Sequence, residues 1–316
     1  MTRMAGYISD VKRFAVHDGP GIRTTLFLKG CPLSCAWCHN PESLDMKPSL
    51  SYEKRLCVGC GDCVTACARG CHETGRTGAG GDREDIGGHH EIDRDDCAGC
   101  GDCVNACMPG ALRLYGRGMD PPDAARLLME DAAFYEQSGG GVTISGGEPL
   151  LQPVFCAEVM KLLKARGAHI AVDTCGDVPF EAFERVLPYT DIFLYDVKHI
   201  DAGALKAQTG GSAERILDNL RALSSIGKPC ELRVPVVPGF NDDDRTLCEI
   251  AGFAASLTNV TCVRLLAYHN YSGAKYESLG MECKMPAGSA PPSARRMEEI
   301  KAIFSLVCEN VRLSGE

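Results

Sequence analysis

The chain has 316 residues, a size that predicts one or two domains, and apolar residues make up 45% of it, enough for a sizeable core. Its formal net charge of −9 argues against a general nucleic-acid-binding surface. The sequence has no apolar run near the ~18 residues of a membrane span, and its first residues lack the apolar stretch of a secretory signal. We therefore expect a cytoplasmic protein that binds neither nucleic acid nor membranes.

The chain contains 19 cysteines. Without an export signal, disulfides are not expected, because the cytosol keeps thiols reduced. Metal or cluster ligation is the favoured use of so many thiols. Eleven of the twelve cysteines between Cys31 and Cys107 fall into regular motifs, whereas the remaining seven, from Cys156 to Cys308, are scattered singly.

Short apolar runs that predict buried strands alternate with amphipathic patterns that predict helices. The predicted strands are 24–30, 141–145, 169–174, 191–198, 230–237 and 262–268, and the predicted helices are 123–139, 153–167, 212–227, 241–257 and 293–311. Six alternating βα units favour a parallel sheet. Because six units are too few for an eight-fold barrel, we expect an α/β fold with a partial (β/α)6 TIM-like barrel, its active site at the C-terminal ends of the strands.

An internal repeat lies between the first predicted strand and the first long helix. The segments CVGCGDCVTACARG from Cys57 and CAGCGDCVNACMPG from Cys97 lie 40 residues apart, and a Gly-rich, polar surface loop is predicted between them. This region has few large apolar residues, which predicts a small insert held by metal rather than by a core. We assign residues 50–115 to a ferredoxin-like insert and residues 1–49 and 116–316 to the barrel.

Each copy of the repeat has the spacing C-x2-C-x2-C-x3-C of bacterial ferredoxins, in which the fourth cysteine of each run ligates the other cluster. Structural zinc sites use C-x2-C pairs instead. We therefore predict two [4Fe–4S] clusters. Auxiliary cluster 1 takes Cys57, Cys60, Cys63 and Cys107, and auxiliary cluster 2 takes Cys67, Cys97, Cys100 and Cys103. Cys71 lies outside the pattern, where the second copy has Ala111, and is interpreted as a packed residue.

The segment CPLSCAWCHNPE, residues 31–42, carries Cys31, Cys35 and Cys38 directly after the first predicted strand. A structural zinc site or a fully ligated cubane cluster would require four protein ligands. Three ligands with an open position are typical of a reactive metal centre. The segment therefore predicts a cluster that faces the mouth of the barrel with one iron free to bind a small molecule.

Polar residues follow the later predicted strands. Gly146 and Gly147 permit close backbone approach, and Glu148 offers a carboxylate to an ammonium group, although a simple Gly-Gly-Glu turn is the alternative. Lys198 and Arg233 are cations at the same edge. Asp173 could instead cap a helix, Lys198 could form an ordinary salt bridge, and a lone histidine such as His269 is usually structural. Candidate ligand contacts at these strand ends are Gly146, Gly147, Glu148, Asp173, Thr174, Asp196, Val197, Lys198, Arg233 and His269.

The spacing C-x3-C-x-aromatic-C, with Trp37 as the aromatic residue, resembles the radical S-adenosylmethionine superfamily. Together with the segments 17–42, 143–152, 173–176, 193–199, 231–242 and 265–280, it is similar to the activating enzymes of glycyl radical enzymes, and the similarity covers nearly the whole chain. The pyruvate formate-lyase activator is the simplest member of that family and lacks the insert. Activators of other glycyl radical enzymes carry it.

The resemblance implies that the cluster at Cys31, Cys35 and Cys38 binds S-adenosylmethionine through the vacant iron and, once reduced, cleaves it to methionine and a 5′-deoxyadenosyl radical. That radical would remove a hydrogen atom from a backbone glycine of a partner enzyme. With the two auxiliary clusters, three [4Fe–4S] clusters are expected. They would receive electrons from flavodoxin or ferredoxin, unless the auxiliary clusters serve only to stabilise the insert.

Individual residues acquire roles by the same resemblance. Trp37 and His39 would flank the adenosyl group, and the Gly-Gly-Glu segment would bind the methionine amine. Asp173, Thr174 and Asp196 would hold a monovalent cation. Residues implied to contact S-adenosylmethionine are Gly147, Asp196, Lys198 and His269, and those implied to lie near the partner's glycine loop are Asp18, Gly19, Pro20 and Gly21. Cys175 replaces an asparagine of the simplest member and is interpreted as a packed thiol.

Two alternatives remain open from the sequence. A radical S-adenosylmethionine enzyme that acts on a small molecule or a peptide would share the three-cysteine motif. A non-enzymatic iron–sulfur electron carrier would need neither that motif nor the Gly-Gly-Glu segment. We expect a monomer, and the residues do not identify which glycyl radical enzyme would be the partner.

Overall fold

The computed structural model describes residues 5–74, 90–286 and 288–315. Most of the loop predicted between the two copies of the repeat, residues 75–89, lies outside the described residues. Within the described ranges, no helix combines the length and the apolar character needed to cross a membrane.

One nine-stranded sheet forms the body of the molecule within the described ranges, in the order β13-β12-β11-β10-β9-β8-β2-β1-β7. Its strands are β1 (Gly6–Ala15), β2 (Arg23–Leu28), β7 (Arg117–Met119), β8 (Gly141–Gly146), β9 (Ile170–Thr174), β10 (Ile192–Asp196), β11 (Cys230–Val236), β12 (Val260–Ala267) and β13 (Val311–Leu313). From β2 through β8 to β13 each neighbouring pair is parallel. The partial barrel predicted from the sequence is confirmed.

Three strands extend the sheet beyond the six that the sequence predicts. β1 runs antiparallel to both β2 and β7 at one edge, and β13 adds in parallel to β12 at the other. β7 and β13 are three residues long each, too short to give a clear apolar pattern. Two of the added strands bear on the site, because β1 and the segment after β13 bring additional residues to the two edges of the barrel mouth.

Helices cover the outer face of the sheet. In the barrel they are α3 (Pro121–Leu128), α4 (Ala132–Ser138), α5 (Pro153–Lys164), α6 (Phe180–Val186), α7 (Ala202–Thr209), α8 (Ala213–Ile226), α9 (Asp244–Ala255), α10 (Gly273–Leu279) and α11 (Ala294–Ser305). Strands such as β8, which lie between these helices and the interior of the barrel, are buried along most of their length. Helices α6, α7 and α10 are short and were not predicted.

The single helix predicted over 123–139 is wrong, because the structure contains two helices there, separated around Asp131. The Asp131 carboxylate is buried and accepts hydrogen bonds from the Arg13 guanidinium and from the Thr24 hydroxyl at 2.7 Å. These long-range contacts fix the backbone at Asp131 between the two helices. The helix propensity of residues 123–139 does not depend on these contacts, so the sequence pattern could not predict the break.

The insert is two copies of one unit. In the first copy β3 (Ser49–Tyr52) precedes α1 (Asp62–Ala66), and β4 (His72–Thr74) follows it. In the second copy, 40 residues later, β5 (His90–Ile92) precedes α2 (Asp102–Ala106), and β6 (Leu112–Tyr115) follows it. The pairing is crossed, since β3 pairs with β6 and β4 pairs with β5. Gly61 and Gly101, with φ of +81° and +85°, begin the two short helices.

Candidate functional site

A cavity of about 480 Å³ opens at the C-terminal ends of the parallel strands. β2 leads into its three-cysteine loop, and the last residues of β8, β9 and β10 form its floor. The sequence-predicted residues that line it are Asp18, Cys31, Cys35, Trp37, Cys38, His39, Gly146, Gly147, Asp173, Thr174, Asp196, Lys198, Arg233 and His269. The fold thus gathers into one cavity side chains that are up to 251 residues apart in the chain.

The three-cysteine loop is held by backbone hydrogen bonds to two other parts of the barrel. Cys31 N–H donates to the Leu44 carbonyl at 3.0 Å, and Ser34 N–H donates to the carbonyl of Thr209 at 2.8 Å. Burial raises the pKa of the Cys35 thiol to about 11 and that of Cys38 to about 12. A bound metal would favour the thiolate forms of these side chains. The donor set fits an iron–sulfur cluster with three protein ligands.

Beside the cysteines lies a compact group of two carboxylates and two cations. Lys198 Nζ donates to Asp196 Oδ2 at 2.7 Å, and Arg233 Nη1 lies 3.1 Å from Asp173 Oδ1. Burial raises the pKa of Asp173 to about 6, although the Arg233 guanidinium acts in the opposite direction. Arg233 Nη1 and Nε and Asp196 Oδ1 are buried without a well-directed hydrogen bond. A ligand that carries both a carboxylate and an ammonium group would satisfy these groups.

The aromatic end of the cavity presents stacked rings. The imidazoles of His39 and His269 stack at 3.8 Å with an interplanar angle of 10°, and Tyr271 stacks on His269 at 4.8 Å. The Trp37 indole packs on Phe240 with ring centroids 4.6 Å apart. A planar heterocycle such as adenine would stack on an outer face of these rings, because the 3.8 Å spacing leaves no room between His39 and His269.

Glu148 does not face the cavity, contrary to the expectation from the sequence. It is fully buried, and its carboxylate accepts hydrogen bonds from Leu150 N–H, from Cys175 N–H and from the Thr174 hydroxyl. These three donors lie behind the strand ends and turn the carboxylate away from the ligand side. Its role in this structure is to join the end of β8 to the end of β9.

Four other predicted residues do not line the cavity. Val197 is buried, and its N–H donates to the Arg233 carbonyl at 2.9 Å. Gly19, Pro20 and Gly21 follow Asp18 in the turn before β2. Asp18 lines the cavity, and the other three residues do not. The Pro20 carbonyl accepts from Arg23, a fully buried guanidinium, so the turn is fixed to the barrel.

The insert brings its cysteines together as the crossed ferredoxin pattern requires. Cys57, Cys60, Cys63 and Cys107 line one small pocket. Burial, and after it the neighbouring sulfurs of Cys97, Cys100 and Cys67, raise the pKa of the Cys103 thiol to about 11. These four cysteines are therefore neighbours. Cys71 is buried, and its N–H donates to the Cys67 sulfur at 3.3 Å. The two sets of four match the predicted ligand sets, and Cys71 lies beside the second set.

The cavity also has lining residues that the sequence did not single out. Lys12 on β1, His17, Arg264 on β12, and Ser314 and Gly315 after β13 all line it. β1 and β13 lie outside the six predicted βα units, so the pattern offered no signal for residues on or after them. Cys175 also lines the cavity and contacts Cys31, whose thiol pKa is lowered mainly by that hydrogen bond.

Three family models match the chain. One described as "Radical SAM superfamily" matches residues 99–250, one described as "4Fe-4S dicluster domain" matches residues 56–111, and one described as "4Fe-4S single cluster domain" matches residues 17–82. The first begins after the three-cysteine loop, at a residue within the assigned insert. The third covers that loop.

Curated relatives match over most of their length. The isethionate sulfite-lyase activating enzyme of Desulfovibrio desulfuricans is 39% identical over 90% of this chain and 89% of the relative. The trans-4-hydroxy-L-proline dehydratase activating enzyme of Clostridioides difficile is 38% identical over 98% of this chain and 99% of the relative. The similarity therefore includes both the barrel and the insert.

Among solved structures, Streptococcus suis SuiB bound to S-adenosylmethionine superposes with a TM-score of 0.50 at 12% identity, over 65% of this chain and 45% of that one. At that identity the similarity concerns the fold alone. It agrees with the partial barrel described above.

Proposed function

This chain belongs to the activating enzymes of glycyl radical enzymes, within the radical S-adenosylmethionine superfamily, and on that premise we propose how its residues divide the work. The family uses [4Fe–4S] clusters and S-adenosylmethionine. When bound, the cluster supplies the electron that cleaves S-adenosylmethionine into methionine and the 5′-deoxyadenosyl radical that takes hydrogen from the partner's glycine. The protein binds and orients the reactants and keeps water away.

Cys31, Cys35 and Cys38 are proposed as the ligands of the cluster that binds S-adenosylmethionine. The observation that carries this assignment is their convergence on one cavity with the Asp196–Lys198 and Asp173–Arg233 pairs. In this arrangement Lys198 and Arg233 would bind the methionine carboxylate, and the carboxylates would receive the ammonium group. The stacked rings of His39 and His269 would hold the adenine.

A monovalent cation beside Asp173 and Asp196 is also proposed, with a restriction. Both carboxylates already contact Arg233 or Lys198, and the Thr174 hydroxyl donates to Glu148. Asp196 Oδ1 is the buried carboxylate oxygen of this group without a directed partner. We therefore expect the cation at Asp196 Oδ1, which leaves Asp173 as the carboxylate for the ammonium group when both are bound.

The count of three clusters is tested by anaerobic reconstitution. We expect about 12 iron and about 12 sulfide per chain. Replacement of Cys31, Cys35 and Cys38 by alanine should reduce the count to about 8 and abolish cleavage of S-adenosylmethionine. A wild-type value near 4 would refute the insert assignment, and cleavage by the triple variant would refute the assignment of the three-cysteine loop.

The partner is proposed to be a glycyl radical enzyme whose glycine loop enters the cavity beside the Asp18–Gly21 turn. The relatives' names include both a sulfite-lyase and a dehydratase as partners, so similarity alone does not choose between them. The deciding experiment mixes the reconstituted protein with one candidate at a time under reducing, anaerobic conditions. The glycyl doublet in the electron paramagnetic resonance spectrum reports activation, and a candidate whose glycine is replaced by alanine is the control.

The insert, proposed as residues 50–115, is assigned to electron delivery from flavodoxin or ferredoxin to a monomeric, cytoplasmic enzyme. Helix α10 packs on β3 of the insert, and its buried Tyr276 lies close to Cys38. The insert therefore packs against the wall of the cavity. Reduction of the three-cysteine cluster by flavodoxin should slow when either auxiliary cluster is removed.

A further inference from the structure

The two auxiliary cluster sites are surrounded by different side chains, although the repeat makes their ligands equivalent. Positions 40 residues apart correspond in the two copies, so Tyr52 corresponds to Ile92 and His90 corresponds to Leu50. Tyr52 and His90 line the pocket formed by the four cysteines of auxiliary cluster 1. Leu50 and Ile92 belong to a small hydrophobic cluster that contains Cys103 and Cys97 of auxiliary cluster 2 together with Cys63 and Cys107 of auxiliary cluster 1. At these two pairs of equivalent positions, one copy of each pair is polar and the other is aliphatic.

The polar groups at auxiliary cluster 1 point to its sulfurs. His90 Nε2 lies 3.7 Å from Cys63 Sγ, within the range for a hydrogen bond to sulfur. The Tyr52 hydroxyl is buried without a directed partner, and the Cys57 sulfur lies beside it. The Tyr52 ring also packs edge-on against the His90 imidazole at 4.5 Å, so the two groups hold one another in place.

The tautomer of His90 follows from its neighbours. His90 Nε2 lies near two possible acceptors, His72 Nδ1 at 3.0 Å and Cys63 Sγ, whereas His90 Nδ1 is buried with no partner among the described residues. A proton on Nδ1 would be a buried donor without an acceptor, which costs more than an unused lone pair. A ligating thiolate carries no proton and can only accept. The His90 Nε2–H therefore points to His72 Nδ1 at 3.0 Å and, as a longer second contact of 3.7 Å, to Cys63 Sγ.

His72 supports this arrangement from the adjacent strand. It is 3% exposed, and its counterpart in the second copy is Leu112. Its Nδ1, His90 Nε2 and Cys63 Sγ all lie within 4.8 Å of one another. His72 thus helps to orient His90 on the side of auxiliary cluster 1.

We propose that His90 and Tyr52 donate hydrogen bonds to the sulfurs of Cys63 and Cys57 and hold the reduction potential of auxiliary cluster 1 above that of auxiliary cluster 2. The physical reason is that reduction adds negative charge to the cluster, and donors directed at its sulfurs stabilise that charge. Auxiliary cluster 2 receives the Cys71 N–H at the Cys67 sulfur, whereas Leu50 and Ile92, at the positions equivalent to His90 and Tyr52, offer it no side-chain donor. A single electron that enters the insert therefore resides mainly on auxiliary cluster 1.

The inference rests on the proposed pair of insert clusters, and iron analysis tests that premise separately. The test uses the full chain with Cys31, Cys35 and Cys38 replaced by alanine, so that about 8 iron and two cluster signals remain. Redox titration followed by electron paramagnetic resonance should give two midpoint potentials. Tyr52→Phe removes only a hydroxyl, and His90→Leu copies the second site. Each should lower the higher potential and leave the lower one unchanged.

The matched control is Leu50→Met, which changes an aliphatic neighbour of auxiliary cluster 2 without adding a donor and should move neither potential. A second measurement requires no substitution beyond the three cysteine-to-alanine replacements. With ¹⁵N-labelled histidine, the signal of the cluster reduced first should show a nitrogen coupling that the second signal lacks. Two equal potentials, unchanged potentials in both variants at full iron content, or the coupling on the cluster reduced last would overturn the proposal.

Discussion

The hydroxyl of Thr174 lies 2.9 and 2.8 Å from the two carboxylate oxygens of Glu148, so the last residue of β9 is bound to the residue that follows the Gly-Gly pair after β8. The other partners of this carboxylate are backbone N–H groups of Leu150 and Cys175. A fully buried acceptor surrounded only by donors is a structural group. Burial raises the pKa of Glu148, and hydrogen bonds from the Cys175 thiol and the other donors offset only part of that rise.

The first prediction concerns Glu148→Gln. The amide NH2 would face an N–H or O–H donor wherever it points, so one buried donor would lose its partner, at a cost of about 1–3 kcal/mol. We expect a lower thermal unfolding midpoint under anaerobic conditions, while the affinity of the folded protein for S-adenosylmethionine changes little. The control is Glu158→Gln on the exposed face of α5. Weaker cofactor binding with an unchanged unfolding midpoint would instead place Glu148 in the cofactor site.

The second prediction concerns Lys198, which lines the cavity and is 8% exposed. Lys198→Met keeps the length of the side chain and removes the ammonium that we assign to the methionine carboxylate. Hydrogen bonds to charged groups are worth about 1.5–3 kcal/mol, so the dissociation constant for S-adenosylmethionine should rise about 10- to 150-fold. Equilibrium dialysis against labelled S-adenosylmethionine, under anaerobic conditions without a reductant so that no cleavage occurs, measures this directly.

Lys164→Met is the matched control for Lys198→Met. Lys164 Nζ bonds the Asp191 carboxylate at 2.8 Å, a salt bridge of similar geometry that lies outside the cavity lining. We expect cofactor affinity within about two-fold of wild type, since an exposed pair contributes at most about 1 kcal/mol and only to stability. Equal losses of affinity in the two variants would mean that Lys198 acts only through folding.

Positions along the chain were easier to predict than the directions of side chains. The six βα units placed Asp173, Asp196 and Lys198 at one edge of the sheet because parallel strands end together, and the structure brings all three into one cavity. The same reasoning placed Glu148 there too. It failed because the rotamer of Glu148 depends on donors from Thr174 and Cys175, which are tertiary contacts.

The edges of the sheet and the break at Asp131 were missed for related reasons. β1, β7 and β13 are defined by their pairing partners rather than by a clear apolar pattern of their own. In the insert the opposite holds, since the cysteine spacing determines which thiols meet, and the crossed pairing of β3 with β6 follows. Cluster ligation can be predicted from sequence because it requires cysteines at fixed spacings. Strand pairing at a sheet edge cannot, because many residue types can form it.

The third prediction concerns Gly147. A Cβ at this position would lie 2.3 Å from the Gly30 carbonyl oxygen and 2.6 Å from that of Ser43. Both contacts are with backbone, so Gly147→Ala must displace the segment that precedes Cys31. We expect a lower unfolding midpoint and incomplete iron, about 8 rather than about 12 per chain, because the three-cysteine loop loses its alignment.

Gly252→Ala is the control for Gly147→Ala. Gly252 lies on the exposed face of α9, and a Cβ there meets nothing within 4 Å. Alanine in a helix interior is favoured over glycine by about 0.5–1 kcal/mol, so this variant should be slightly more stable and retain full iron. Full iron and an unchanged midpoint in Gly147→Ala would show that the backbone near Cys31 accommodates a methyl group.

The last prediction concerns the pH dependence of stability at His169. Its Nδ1 lies 3.4 Å from Nη1 of Arg23, a guanidinium that is fully buried. Burial first, and then the charges of Arg23 and Lys164, lower the pKa of His169, while Asp191 acts in the opposite direction. A histidine with a depressed pKa in the folded state binds more protons when unfolded. Its contribution to stability is therefore complete above about pH 6.5 and is lost as the pH falls toward the folded-state pKa.

Thermal unfolding at pH 7.5 and 5.5 tests this sign. Wild type should lose more of its unfolding midpoint on acidification than His169→Gln, which keeps a hydrogen-bonding side chain but does not titrate. His17→Gln, at an exposed histidine, is the control and should retain the wild-type dependence on pH. Since cluster loss at low pH affects all three proteins alike, the difference between variants isolates His169. Equal pH dependence in wild type and His169→Gln would mean that the charge of Arg23 is screened from this imidazole.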